Sequence, residues 1–408
     1  MKNFRTLYLY ELKKLLKRKL PWIMVLVTSA FMVYDAYQVK YDAYHLKDYD
    51  DGWFSLTDQA GNAVSEHLSG AEQRRLIDEG ARRVSGQIMD ESLFQKVRQA
   101  STGNGQYVVQ DMWEQESYFY LIDNTYYAPY GMVTHKMGLD PTITTADSFY
   151  AHRQYSLETN WAELTDREAA YWKSMEAQVE KPFVYCYAGG YQDILVDILA
   201  LSMLIPIVVA CCLCGVFSEE KRTRADALVL SSRYGRFPQY WAKVLAGITV
   251  ASAATLSLMG ANVAFVLLAR GWDGFDAALQ LGNLSSSLPI TVGQATLILL
   301  GLLFLYGLLC SGVTMLFSVF AQNTVIALSA PILLMLCQGW LRLDIQAVEY
   351  LPDQLFNSTV VLRNVNLVNF FGVYLNNLQF GFILYGGLAV MLIALCWLGW
   401  RRSAAGRI

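Results

Sequence analysis

The residue types that most often carry catalysis or bind metals occur in this sequence, but not at the spacing those functions need. The histidines are His45, His67, His135 and His152, and none belongs to an H-E-x-x-H motif or pairs with cysteine at zinc-ligand spacing. There is no G-x-S-x-G nucleophile motif and no G-x-x-x-x-G-K-[ST] loop to hold the phosphates of ATP. The sequence therefore predicts no catalytic residue, no metal site and no cofactor in this chain.

Two carboxylates stand at the start of an apolar segment. Asp193 and Asp197 are four residues apart and so share one face of a helix. Acidic residues inside a membrane often mark the path of a substrate or ion, which makes this pair a candidate translocation path. They also lie close enough to the end of the segment to be hydrated residues without a transport role, and the sequence leaves both interpretations open.

A charged segment, FSEEKRTRADALVLSSRYGRFPQYWAKVLAG, occupies residues 217–247. It places Glu219 and Glu220 directly after an apolar helix and continues through a short amphipathic stretch to Lys243, where the next apolar segment opens. One interpretation is a short, rigid, charged helix that a partner protein binds. The other is a connecting loop whose positive charges keep it on the cytoplasmic side.

The composition sets the broad class of the protein. Of 408 residues, 54% are hydrophobic, 13% aromatic and only 16% charged, and the net charge is -3. The aromatic content excludes a disordered chain, and the lack of excess positive charge argues against a nucleic-acid binder. These values indicate an α-helical multi-pass membrane protein.

Six apolar segments are long enough to be candidate spans, since a helix needs about 20 mostly apolar residues to cross a bilayer. The predicted spans are residues 20–39, 191–217, 244–269, 295–320, 325–341 and 380–400. The predicted segments outside them are residues 1–19, 40–190, 218–243, 270–294, 342–379 and 401–408. Lysine and arginine concentrate in 1–19, 218–243 and 401–408, so the positive-inside rule places both termini in the cytoplasm.

Residues 1–19 and 342–379 are predicted to lie along the membrane without crossing it. The first segment alternates apolar and basic residues with helical period, which indicates an amphipathic helix in the cytoplasmic leaflet; a merely solvated basic segment is the alternative. The second is too apolar for a free loop and is predicted to form two short re-entrant helices on the outer side.

Residues 40–190 are predicted to form a mainly helical extracellular domain. Residues 41–190 contain 23 acidic and 12 basic residues, a formal charge of -11. Residues 68–100 read as two helical stretches broken near Ser85 and Gly86, and residues 164–183 as a helix capped by Thr165 with Glu168 three positions later. A tyrosine-rich stretch between them has no assigned fold.

The junction between this domain and the second span contains two glycines. Gly189 and Gly190 are adjacent, and this pair predicts a flexible joint.

The charged segment resembles the signature of ABC-2 type transporter permeases, in which a glutamate after the second span is followed by a Gly-Thr-Leu-like turn, a serine-rich turn with arginine, and a lysine. The matching residues are either Glu219 or Glu220, together with Leu228, Ser231, Ser232, Arg233, Arg236 and Lys243. Ala225 and Asp226 replace the usual Gly-Thr. The sequence EYLPDQLF, residues 349–356, resembles the Leu-Pro element before the family's last span.

The large domain between the first two spans is similar in placement to that of bacterial lantibiotic-immunity, bacitracin-resistance and sodium-export permeases. The resemblance implies the six-helix, type V exporter-like permease architecture in a bacterial plasma membrane. It also implies a separate ABC ATPase dimer that binds ATP and magnesium, and a second permease, identical or paralogous. The residues it assigns to ATPase coupling are Glu219, Glu220, Arg222, Arg224, Asp226, Leu228, Arg233 and Arg236.

These expectations lead to two functional hypotheses. The first is the membrane subunit of an ABC exporter for an amphipathic peptide, an antibiotic or a lipid-like compound, with a role in antimicrobial peptide resistance. The alternative is a membrane-anchored sensor that binds a ligand with its extracellular domain and signals through the spans. A membrane-embedded enzyme has no catalytic motif to support it.

Overall fold

The computed structural model describes residues 2–41, 55–57, 78–79, 81–101, 106–108, 145–223, 237–321, 323–338 and 346–405. In chain order the elements are α1 (Lys2–Leu16), α2 (Lys19–Tyr41), β1 (Ser55–Thr57), α3 (Glu91–Ser101), β2 (Gln106–Val108), α4 (Ala146–Trp161), α5 (Asp166–Glu176), α6 (Gly189–Leu213), α7 (Gly215–Arg222), α8 (Phe237–Arg270), α9 (Val292–Phe320), α10 (Thr324–Gln338), α11 (Pro352–Leu355), α12 (Ser358–Val361), β3 (Leu367–Phe370), β4 (Val373–Asn376) and α13 (Asn377–Ala405). Single 3-10 turns add Leu279–Leu281 and Gln346–Tyr350.

The described residues include four helices that are long and apolar enough to cross a membrane. They are Gly189–Arg222, Phe237–Arg270, Val292–Phe320 and Asn377–Arg402. The first and fifth predicted spans coincide with α2 and α10, whose described apolar stretches, Pro21–Tyr34 and Thr324–Leu333, are shorter. The protein is therefore a helical membrane protein, and the count of six spans stays a prediction.

Helix α9 is the central helix of the bundle and packs against α6, α8 and α13. It begins with a capping box, because the Thr291 hydroxyl accepts a hydrogen bond from the Gln294 amide at 3.2 Å and the Gln294 side chain accepts one from the Thr291 amide at 3.1 Å. Gly307 allows the close approach of α8: a β-carbon there would lie 2.5 Å from the hydroxyl oxygen of Thr255. Small residues thus set the spacing of the bundle helices.

The large domain between α2 and α6 has helical parts and a two-stranded parallel sheet of β1 and β2. Thr165 and Glu168 cap α5 as predicted, with the Thr165 amide donating to a Glu168 carboxylate oxygen at 2.9 Å. The helix ends at Glu176, seven residues earlier than expected. The predicted break near Ser85 is present, since Gly86 has a φ of 89° and α3 begins only at Glu91. The tyrosine-rich stretch lies outside the described residues.

The glycine pair before the second span is not a flexible joint, and this prediction was wrong. Gly189 and Gly190 are buried and form the first turn of α6. A β-carbon on Gly190 would lie 2.8 Å from the carbonyl oxygen of Gly271. The glycines are required by a close helix contact and not by mobility.

The segment before α13 contains more than the two predicted short helices. A 3-10 turn, α11 and α12 are followed by an antiparallel hairpin, in which Leu367 pairs with Asn376 and Phe370 with Val373. The hairpin was missed because its four-residue strands are too short for a clear alternation of polar and apolar residues.

Candidate functional site

The candidate site is the end of the bundle where α1, α7 and α8 meet. Helix α7 continues α6 after an interruption at Cys214 and carries Glu219 and Glu220 in its last turn. Both side chains turn toward α1 and α8, and Glu220 is buried. The segment therefore starts as a docked helix with its acidic residues facing inward.

Lys243 lies at the centre of this site, near the beginning of α8. Its side chain is 0% exposed. The ammonium group lies 2.6 Å from a Glu220 carboxylate oxygen and 3.4 Å from a Glu11 carboxylate oxygen, and it donates to the Val216 carbonyl at 3.0 Å. One buried cation thus joins α1, α7 and α8.

The other charged partners come from α1 and the residues just after it. Lys14 lies 3.4 Å from Glu220, and Arg18 forms an ion pair with Glu219. Arg18 also donates to the Gly215 carbonyl at 3.2 Å, which ties it to the first turn of α7. We call Glu11, Lys14, Arg18, Glu219, Glu220 and Lys243 the Lys243 cluster.

The Lys243 cluster balances three carboxylates with three cations. Gln239 adds a neutral contact by donating to Glu11 at 2.6 Å. Charges removed from water are tolerated only when paired and hydrogen-bonded, and removing one partner of a buried pair costs about 3–5 kcal/mol. The arrangement therefore holds α1 firmly against α7 and α8.

Aromatic rings fasten the last helix, α13, to the same end. The Phe217 ring lies 5.3 Å from that of Trp400, and the Tyr240 ring 5.0 Å from that of Trp397. The Tyr240 hydroxyl donates to the Ile393 carbonyl at 2.6 Å. Four helices that are distant in sequence thus meet around α7.

A serine on α9 supports the interruption before α7. The Ser318 hydroxyl accepts hydrogen bonds from the amides of Phe217 at 3.0 Å and Ser218 at 3.1 Å, and donates to the Cys214 carbonyl at 2.9 Å. Amides in the first turn of a helix lack partners within that helix, so the hydroxyl acts as a cap supplied by a neighbour.

Comparison of the sequence with known protein families identifies the family to which this chain belongs. Residues 21–341 match the family model of the ABC-2 family transporter proteins. The chain belongs to this family. Neither the curated proteins nor the solved structures include a match to it. As an ABC-2 transporter protein, it is a membrane component of an ABC transporter. This family membership implies that its partner is an ABC ATPase subunit.

The structure of this ABC-2 protein describes only part of the predicted coupling set. Glu219 and Glu220 belong to the Lys243 cluster, and Arg222 is exposed at the end of α7. Arg224, Asp226, Leu228, Arg233 and Arg236 lie outside the described residues. The coupling role of the whole set stays a prediction.

Sequence reasoning missed the contribution of α1 to this site. Glu11, Lys14 and Arg18 were interpreted only as parts of a basic membrane-surface helix. The available signal was Glu11, the single acidic residue among seven basic residues in positions 1–19. Lys243 at the start of a span was the second signal, since an intramembrane charge needs a partner.

The two candidate translocation residues contact α8. Asp193 lies 3.0 Å from the guanidinium nitrogen Nε of Arg270, and Asp197 accepts a hydrogen bond from the Asn262 amide at 2.8 Å. Arg270 also binds Asp78 of the large domain at 2.6 Å. These contacts favour a structural role for both carboxylates, and a part in a translocation path stays a prediction.

A buried arginine, which forms an ion pair within the large domain, also connects that domain to the loop between α8 and α9. Arg153 on α4 binds both carboxylate oxygens of Glu176 and donates to the carbonyls of Leu284 at 3.0 Å and Ser286 at 3.1 Å. Burial alone would raise the pKa of Glu176, but hydrogen bonds from Arg153 and Lys181 outweigh it and lower that pKa.

Among the described residues, no three histidine, cysteine or acidic side chains are arranged to hold a metal ion. The groups at the site are suited to joining helices, and no substrate chemistry is evident among them.

Proposed function

We propose that this chain is the membrane-spanning subunit of an ABC exporter for an amphipathic peptide, an antibiotic or a lipid-like compound. A separate ATPase dimer hydrolyses ATP, and a second permease, identical or paralogous, completes the transport path. The family membership supports the permease role. The large acidic domain before α6 supports the choice of an exporter of peptide-like or lipid-like compounds by its placement.

The observation that carries the proposal is the Lys243 cluster. Because α7 is joined to α1 and α8 by the buried pairs of Lys243 and by partly exposed pairs of Lys14 and Arg18, a force on the exposed end of α7 is transmitted to two other helices at once. Helix α1 lies along the membrane surface in this proposal, so the ATPase moves a rigid unit of three helices. Glu219 and Glu220 act as positioning residues within that unit, and Arg222 faces the ATPase.

We infer six crossings of the membrane, with both termini and α7 in the cytoplasm. The contacts that support this lie at two opposite ends of the bundle. Trp172 of the large domain donates to the Val365 carbonyl at 2.6 Å, while Trp400 at the other end of α13 packs on Phe217. These contacts support a crossing between Ala321 and Val365, and α10 is the span in this proposal.

The same reasoning applies to α2. Helix α1 is docked at Lys243, whereas Asp78 binds Arg270 at the opposite end of α8. These contacts support a crossing between α1 and Asp78, and α2 is the apolar helix that makes it in this proposal.

The test is reconstitution with a candidate ABC ATPase subunit from the same organism, with Arg222→Glu as the coupling variant. We expect a stable complex in nanodiscs whose ATP hydrolysis is stimulated by the wild-type chain and reduced about tenfold by the variant, because repulsion and lost contacts of about 1.4 kcal/mol suffice for that change. Arg402→Glu is the matched control, an exposed arginine at the same end of the bundle. Absence of a complex, or equal effects of the two variants, would contradict the proposed coupling.

Transport is measured separately with proteoliposomes that contain a fluorescent amphipathic peptide. ATP-dependent movement of the peptide is expected with the wild-type complex and not with an ATPase-inactive complex. ATP hydrolysis without any movement of peptide would instead favour the sensor hypothesis.

A further inference from the structure

The hairpin of β3 and β4 ends in an exposed apolar turn. Phe371 is 93% exposed, Val373 is 60% exposed and Phe370 is 39% exposed. The hairpin sequence, LVNFFGVYLN, contains no charged residue. An apolar turn of this kind is unfavourable in water and resembles a surface made for an apolar environment.

The backbone holds the turn in a fixed conformation. Phe371 has a φ of 50° and Gly372 a φ of 87°, and the Asn369 side chain accepts a hydrogen bond from the Gly372 amide at 2.9 Å. A positive φ is unusual for a bulky residue and costs about 1 kcal/mol or more. The ring of Phe371 lies 4.7 Å from that of Phe370 and is otherwise exposed.

The position of the hairpin relates it to the membrane. β4 ends at Asn376 and α13 begins at Asn377, so no linker separates the hairpin from a membrane-spanning helix. The Phe370 ring lies 6.2 Å from that of Phe380 in the first turn of α13. The turn therefore lies at the level where α13 enters the membrane.

Helix α13 is also the least buried within this chain of the four long apolar helices. Only 17% of its apolar window is buried within the chain, against half or more for the other three. Because Phe370 lies beside the first turn of this helix and so little of the helix is covered by the rest of the chain, the turn is accessible to lipid from the same side.

We propose that the hairpin is a membrane anchor whose Phe370 and Phe371 side chains insert into the boundary between headgroups and acyl chains at the outer end of α13. Aromatic residues favour this boundary, and burial of apolar area there stabilises the inserted position. The anchor fixes the segment between α10 and α13 at a constant depth, whichever compound the protein transports.

A lipid surface fits the turn better than a protein partner does. A stable protein interface buries at least about 1,000 Å² with a polar rim, whereas this turn offers three apolar side chains and no charge. A lipid boundary requires neither a large area nor a specific complementary surface.

The experiment places an environment-sensitive fluorophore at the turn of the full-length protein in phosphatidylcholine nanodiscs. Phe371→Cys and Val373→Cys are each labelled in a Cys186→Ser parent, and the unsubstituted parent reports labelling of the remaining cysteines. Asn160→Cys on α4 is the control for water, and Val390→Cys in α13 is the control for lipid, since both side chains are exposed. Quenching is measured with aqueous iodide and with a lipid that carries a nitroxide near its headgroup.

We expect the labels at positions 371 and 373 to be quenched by the nitroxide lipid several-fold more than the label at position 160, and to be protected from iodide. Quenching by iodide to the level of the label at position 160 would overturn the proposal. Protection from both quenchers would also overturn it, because it would show that a second copy of the chain or another protein covers the turn.

Discussion

Lys243 is fully buried, and its ammonium group lies between carboxylates contributed by α1 and α7. Such a pair contributes little net stability relative to apolar residues, but breaking it from one side leaves a charge without a partner. The role of the pair is therefore to define which helices contact one another and in which register.

This interpretation predicts the effect of neutralising Lys243. Lys243→Met is expected to lower the free energy of unfolding by about 3–5 kcal/mol, because Glu220 and Glu11 lose the cation between them. The double variant Lys243→Met with Glu220→Gln is expected to recover a large part of that loss. Thermal unfolding in nanodiscs measures both, and a double variant as unstable as the single one would refute the pairing.

Glu176 predicts a pH dependence for the large domain. Its pKa is lowered in the folded protein. The ionised carboxylate therefore stabilises the fold at pH values above the ordinary glutamate pKa of about 4.3. This stabilisation is lost as the pH falls through the lowered pKa. Glu176→Gln is expected to be destabilised at pH 7 by about 3 kcal/mol and to converge with the wild-type protein at low pH.

The fluorescence of Trp161 and Trp172, which are buried in this region, reports the unfolding of the domain. Glu168→Gln is the matched control, because the pKa of Glu168 is also lowered, by hydrogen bonds from Thr165, but this carboxylate belongs to a partly exposed helix cap. A stability difference between the wild-type protein and the Glu176→Gln variant that does not change with pH would contradict the assigned role.

At the scale of elements, the long apolar helices were predictable and the contacts between them were not. The third, fourth and sixth predicted spans agree with α8, α9 and α13 to within a few residues at most ends, because apolar length alone defines them. Helix α8 begins at Phe237, seven residues before the predicted span, and this added part of the helix includes Gln239, which contacts Glu11.

The missed elements depend on tertiary structure. The inward direction of Glu219 and Glu220 follows from α1, a helix about 200 positions away in sequence, and no local pattern contains that information. The Lys-Arg pattern of α1 predicted its amphipathic character, but not the role of Glu11.

The junction of the large domain with α6 gives a prediction at this scale. Gly190→Ala is expected to destabilise the protein by about 1–3 kcal/mol, because the new methyl group would meet the Gly271 carbonyl. Gly260→Ala in α8 is the control: nothing lies within 4 Å of the added β-carbon, so the change is expected to be neutral or stabilising by up to about 1 kcal/mol. The thermal unfolding of the two variants is measured side by side. A higher stability of Gly190→Ala than of Gly260→Ala would contradict the prediction.

At the scale of the whole molecule, charge and contacts define two different ends. One end carries α1, α7, Lys243 and the aromatic contacts of Trp397 and Trp400. The other carries the large domain, joined to the bundle through Arg270 and Arg153. The distribution of lysine and arginine predicted this separation from the sequence.

The separation predicts opposite reactivities for two introduced cysteines in a Cys186→Ser background. Asn160→Cys is expected to react with a membrane-impermeant maleimide on intact cells, and Thr223→Cys only after permeabilisation, since both positions are exposed but lie at opposite ends. Val390→Cys within α13 is expected to react in neither condition. Reaction of positions 160 and 223 from the same side would exclude the proposed topology.

The hydroxyl of Ser318 has a mechanical consequence for the moving parts of the transporter. It is hydrogen-bonded to the Cys214 carbonyl and to the amides of Phe217 and Ser218, so α7 cannot change its angle to α6 without losing these contacts with α9. A junction between two helices that is hydrogen-bonded to a third helix does not bend freely. A stroke delivered at Arg222 must then either break these three hydrogen bonds or carry the central helix along with it.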